Sequence, residues 1–133
     1  MFGKKSENKP SGRIDSLIGA GTRVEGSIRF AGGLRIDGEV VGSVEAAEGA
    51  SSSTLVISEH ARVEGAVCVA HLVTNGMVVG PVTVSESLEM QSKARIVGDV
   101  DYTMIEMHQG AVIEGHLVHR GGKSVELKLA ASN

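Results

Sequence analysis

Ala61-Arg62-Val63-Glu64-Gly65-Ala66-Val67 carries the pattern from which this chain is built. Edited copies of it recur. Thr22-Arg23-Val24-Glu25-Gly26-Ser27-Ile28 comes before it, and Ala94-Arg95-Ile96-Val97-Gly98-Asp99-Val100 and Ala111-Val112-Ile113-Glu114-Gly115-His116-Leu117 follow. Each copy reads small, outward, apolar, outward, Gly, polar or small, apolar. A unit that returns at nearly fixed spacing is the signature of a solenoid.

Cut at Leu17–Gly33, Leu34–Ser52, Ser53–Ala70, His71–Glu86, Ser87–Thr103 and Met104–Gly122, the chain places Gly26, Gly42, Gly65, Gly80, Gly98 and Gly115 in register. The longest interval, Gly42 to Gly65, contains Glu45-Ala46-Ala47-Glu48-Gly49-Ala50-Ser51-Ser52-Ser53. That stretch is expected to be a surface loop inserted into one coil, because repeat insertions map to loops.

Inside each unit the apolar pattern has period two. Leu55-x-Ile57, Leu72-x-Thr74, Leu88-x-Met90 and Ile105-x-Met107 form one row. Val24, Val63, Ile96 and Ile113 form a second, and Ile28, Val67, Val82, Val100 and Leu117 a third. Three short apolar segments per unit, separated by Gly or polar turns, describe a three-sided coil with alternate residues inward. Gly and β-branched residues recur too densely for a helical stripe. The expected fold is therefore all-β, a parallel β-helix of about six coils. Coils stacked at about 4.8 Å would give a rod on the order of 30 Å long. Arg23, Arg62 and Arg95 take one outward position, with Glu25, Glu64 and Glu114 on the same face. A solvated ladder of opposite charges accounts for them, since exposed pairs contribute little beyond solubility.

Composition agrees with a narrow aliphatic interior. Only Phe2, Phe30 and Tyr102 are aromatic, and the chain has 18 Gly but 2 Pro. Residues 1–13 lack periodicity and read as a disordered basic tail. Lys4, Lys5, Lys9 and Arg13 against Glu7 give it a charge of +3, on a chain whose net charge is -3. An acidic body without a basic, aromatic-studded stripe does not suggest nucleic acid. Cys68 is the single cysteine, so no disulfide framework exists. Neither a membrane span nor a signal peptide is visible, and a cytosolic location is expected. Residues 14–122 form the core, and 123–133 a closing strand (Lys123 to Leu129) with a short tail.

A solenoid exposes unpaired backbone and an apolar cross-section at each end. No helix-like cap is visible. Leu17, Ile18, Ile28 and Phe30 fall at the N-terminal end, and Ile113, Leu117, Val118, Val125 and Leu127 at the C-terminal end. End-to-end stacking follows, because contacts that leave a free end on each added subunit generate filaments. A monomeric scaffold, its rod capped by the tail and the last strand, is the alternative. A β-helix enzyme or metal protein is a further one. His116 and His119 lack a third ligand at a defensible offset. No phosphate loop, nucleophile motif or catalytic carboxylate pair stands out, so no catalytic, metal or cofactor residues are expected.

The recurrent Arg-Val-Glu-Gly units, the segment Leu34-Arg35-Ile36-Asp37-Gly38-Glu39-Val40-Val41-Gly42-Ser43-Val44 and the opening Met1-Phe2-Gly3-Lys4 make the chain resemble the bactofilins from Ile14 to Gly122. The resemblance implies a right-handed three-sided β-helix with disordered termini. It implies nucleotide-free assembly into non-polar filaments through N-to-N and C-to-C contacts. It also implies a scaffold on the cytoplasmic face of the bacterial inner membrane, serving cell shape and partnered by cell-wall enzymes or other clients. Met1, Phe2, Lys4 and Lys5 match the family's membrane-targeting start. Family members tend to place a Phe at the C-terminal contact. None lies beyond Phe30 here, so Leu117, Val118 and Leu127 are expected in its place.

Overall fold

The computed structural model describes residues 14–48 and 52–120. In chain order the strands are β1 (Ser16–Ile18), β2 (Arg23–Glu25), β3 (Ile28–Phe30), β4 (Gly33–Ile36), β5 (Glu39–Val41), β6 (Val44–Ala46), β7 (Thr54–Ile57), β8 (Arg62–Glu64), β9 (Val67–Thr74), β10 (Met77–Val79), β11 (Val82–Met90), β12 (Arg95–Val97), β13 (Val100–Tyr102), β14 (Met104–Met107), β15 (Val112–Glu114) and β16 (Leu117–His119). No helix occurs among the described residues, so none there is long and apolar enough to cross a membrane.

Every pairing between these strands is parallel, and each joins a strand to its counterpart one coil away. Three stacks result. The first runs β1-β4-β7, the second half of β9, the second half of β11, then β14. The second runs β2-β5-β8-β10-β12-β15. The third runs β3-β6, the first half of β9, the first half of β11, then β13 and β16. β9 and β11 each turn a corner without a break, so each serves two faces. The molecule is a six-coil, three-sided solenoid.

The three apolar rows are its interior. Leu34, Leu55, Leu72 and Leu88 lie in register on the first face. Val40, Val63, Val78 and Ile96 do so on the second, and Val44, Val67, Val82 and Val100 on the third; all twelve are buried. Each coil alone would leave its inner side wet, and stacking removes that apolar area from water at roughly 25 cal/mol per Å². Thr74 interrupts the Ile36–Ile57–Met90 row. It is tolerated because its Oγ1 accepts the N–H of Gly76 at 3.2 Å.

The corner after the second face is a column of glycines. Gly42, Gly65, Gly80, Gly98 and Gly115 have φ between 144° and 157°, and Gly26 has 129°. A Cβ at any of the later five would run into the carbonyl of the column glycine one coil earlier. Only glycine supplies both the φ and the missing atom.

The inserted loop is smaller than the sequence suggests. Glu45 and Ala46 belong to β6, and the N–H of Ala47 still bonds the Phe30 carbonyl at 2.7 Å. At the far side Ser53 is buried, its Oγ accepting the N–H of Ala70 at 3.1 Å. The ladder therefore holds the chain as far as Ala47 and again from Ser53. The flanks of the insertion are captured by ladder bonds that a polar, alanine-rich composition does not advertise.

Candidate functional site

Among the described residues, seven large apolar side chains are left exposed: Ile14, Leu17, Met104, Met107, Val112, Leu117 and Val118. Leu17 belongs to the first coil, Ile14 lies just before it, and the other five belong to the last coil. None lies on the four coils between. The cause is geometric. Met107 and Leu117 continue the inward rows of Met90 and Val100, but no described coil follows to cover them. Val112 and Val118 stand at outward positions, in register with Arg95 and Asp101. The candidate functional surfaces are thus the two ends of the rod.

The residues expected at these ends do not all sit alike. At the N-terminal end Leu17 is 60% exposed, while Ile18, Ile28 and Phe30 are half-buried against the core. At the C-terminal end Leu117 and Val118 are 49% and 51% exposed, and Ile113 is half-buried. Val125 and Leu127, like Met1, Phe2, Lys4 and Lys5, lie outside the described residues. Sequence reasoning passed over Ile14, Met104, Met107 and Val112. Carrying each row one step to the last coil would have found Met107.

The sides of the rod carry paired charges. Arg23, Arg62 and Arg95 do share one outward position, but on alternate coils, with Glu39 and Met77 at the intervening steps and Val112 after Arg95. Arg23 Nε lies 2.9 Å from Glu25 and its Nη1 3.1 Å from Glu39, Arg62 Nε lies 2.6 Å from Glu64, and Arg95 pairs with Glu114. A groove of about 350 Å³ at one corner is lined by Thr22, Arg23, Gly38, Glu39, His60 and Arg62. Both of its guanidiniums already hold carboxylates, so the groove offers an anion little free positive charge. Asp37 is held below the usual carboxylate range by the Ser58 hydroxyl and then by Arg35. Asp99 is lowered too, by the backbone N–H of His116 first and its ring second.

Among the described residues, one group of three metal-type donors converges: Glu89, Glu106 and His108 have ligand atoms within 4.8 Å of one another. Glu89 and Glu106 stand in register on adjacent coils, and His108 Nε2 lies 3.3 and 3.2 Å from them. All three side chains are at least a third exposed. Among the described residues, no further side chain fixes the ring or the carboxylates from behind, as metal ligands require. The arrangement is that of an imidazole shared between two carboxylates. His116 and His119, expected to lack a third ligand, instead contact Asp99 and the Thr103 carbonyl. Cys68 is exposed on β9.

A protein-family model described as Bactofilin, polymer-forming cytoskeletal, matches residues 16–118. Among curated proteins the chain is similar to Bactofilin BacP of Myxococcus xanthus (strain DK1622), with 26% identity over 112 residues. That match covers 84% of this chain and 45% of the relative, so the chain spans less than half the length of the protein it matches. No solved structure matches it.

Proposed function

This chain belongs to the bactofilin family of polymer-forming cytoskeletal proteins, and on that premise we propose that it assembles end to end, without nucleotide, into non-polar filaments. The observation that carries the proposal is the confinement of exposed large apolar side chains to the first and last coils. A second rod end would cover them, and each joined rod leaves its opposite end open. N-to-N contacts would use Leu17 with Ile14, backed by Ile18, Ile28 and Phe30. C-to-C contacts would use Leu117, Val118, Met104, Met107 and Val112, backed by Ile113, with Val125 and Leu127 from the following segment.

The filament would lie on the cytoplasmic face of the bacterial inner membrane. Met1 and Phe2 would insert at the interface, and Lys4 and Lys5 would add about 1 kcal/mol each on an anionic leaflet. One such tail binds marginally, but a filament displays many, and avidity makes the attachment firm. The paired charges along the sides would then face client proteins of cell shape and the cell wall. The role is structural and non-enzymatic. High-speed sedimentation of purified protein in chelator, without nucleotide, tests assembly. Most of the protein is expected in the pellet; a fully soluble single rod at micromolar concentration refutes the proposal.

A further inference from the structure

The two ends of the rod balance their charge in different ways. In the first two coils every carboxylate on the strands has an arginine. Arg23 serves Glu25 and Glu39, Arg29 Nη2 lies 3.7 Å from Glu45, and Arg35 Nε lies 2.8 Å from Asp37, just past β4. These cations are permanent. In the last two coils Glu114 has Arg95, and Asp101 Oδ1 has Arg120 Nε at 3.3 Å. Lys93, the remaining cation there, reaches back to Glu59 at 3.3 Å. That leaves Glu89, Glu106 and Asp99, whose partners are histidines: His108 for the first two, and His116 Nδ1 at 3.2 Å for Asp99. His119 adds a third ring in the last coil. Its centroid is 5.4 Å from that of Tyr102 and its Nε2 is 3.0 Å from the Thr103 carbonyl.

Glu89 on Glu106 is the one in-register carboxylate pair among the described strands. Val73 lies on the near side of Glu89, so no cation is supplied from the coil before. Like charges directly opposite on a ladder are destabilising, and among the described residues the His108 imidazole is the group placed to relieve them when protonated. With neutral histidines, residues 87–120 carry Glu89, Asp99, Asp101, Glu106 and Glu114 against Lys93, Arg95 and Arg120, a charge of -2. Protonating His108, His116 and His119 brings it to +1. Histidine is the side chain whose charge changes between pH 5 and 8.

We propose that the C-terminal end of the rod is a pH-gated surface for a second copy of the same end, repulsive when its histidines are neutral and permissive when they are protonated. This rests on the end-to-end reading above. The partner is fixed by the apolar side chains of the last coil, and the carboxylates and histidines of the last two coils set the pH at which two such ends meet. Rim charges act on association mainly through steering and repulsion. The N-terminal end, balanced by arginines, carries no such control.

The experiment is a critical concentration for pelleting, measured on the full chain at pH 8 and pH 6 in low salt. A fall of about fivefold or more on acidification is expected, and added salt should shrink it because these charges are exposed. His108→Gln, His116→Gln and His119→Gln together, which keep the position-116 backbone bond to Asp99, should abolish the pH difference while β-rich circular dichroism is retained. Equal critical concentrations at both pH values, or a difference that persists in the triple variant, overturns the pH gate and leaves end-to-end assembly intact. Single rods at both pH values overturn the assembly reading and the gate with it.

Discussion

Gly65 lies one coil above Gly42, and a Cβ built on Gly65 would occupy the space of the Gly42 carbonyl oxygen. Its φ of 153° adds a backbone conformation that other residues rarely adopt. Gly65→Ala should therefore destabilise the rod by about 1–3 kcal/mol from strain alone, with the clash added. At Gly21 a methyl group would meet nothing within 4 Å and the φ is ordinary, so Gly21→Ala should change stability by less than about 0.5 kcal/mol. Urea unfolding followed by circular dichroism separates the two.

The interior is a stack of like residues, so one truncation should be felt across several coils. Leu72 is fully buried between Leu55 and Leu88. Leu72→Ala should cost about 2–5 kcal/mol. Leu17→Ala, at a position 60% exposed, should cost less than about 0.5 kcal/mol in the unfolding of a single rod.

Leu17→Arg and Leu117→Arg place a charge in the proposed end contacts at positions about half exposed or more. Each should abolish long filaments while leaving the β-rich circular dichroism unchanged, because a desolvated, unpaired charge costs several kcal/mol. Blocking one end should leave rods paired through the other. Analytical ultracentrifugation reads this as dimers; long polymers in both variants would mean that other surfaces make the contact. Phe30→Arg is the less clean test, since Phe30 packs partly against the core.

Acid should weaken the coil joints held by Asp37 and Asp99. Both carboxylates are lowered in the folded chain, Asp37 chiefly by the Ser58 hydroxyl and Asp99 by the His116 N–H. A depressed carboxylate stabilises the fold above its unfolded pKa, roughly 3.9 for Asp, and that contribution is lost as pH falls through the lower folded value. The melting temperature of the Leu117→Arg rod should thus drop below about pH 4. Asp37→Asn should lower it at pH 7 and matter less at pH 3.

The tail makes a separate prediction. Phe2→Glu, or deletion of residues 2–5, should release the protein from anionic vesicles in a flotation assay while filaments still form. Binding that survives both changes would assign membrane attachment to another part of the chain.

Much of the fold was legible because it is written locally. Period-two rows such as Val24, Val63 and Ile96, and glycines in register, are visible within one unit, and the unit boundaries at Leu34, His71, Ser87 and Met104 fall where the strands of the first face pair. What was not legible depends on neighbours one coil away. Glu45 reads as loop by composition, yet it stacks between Arg29 and Cys68 in the third face. Arg23 and Arg62 look like adjacent rungs, but Glu39 stands between them. Met107 has the same inward position as the buried Met90, and only the absence of a described coil above it makes it a surface. The pairing of Glu89, Glu106 and His108 likewise needs the register, since 17 residues separate the two carboxylates.

Whether the ends of the rod meet one another is decided by negative-stain electron microscopy of the purified chain, at micromolar concentration and without nucleotide. Unbranched filaments one rod wide are the expected result. A field of single, unassociated rods under the same conditions would mean that the ends do not meet.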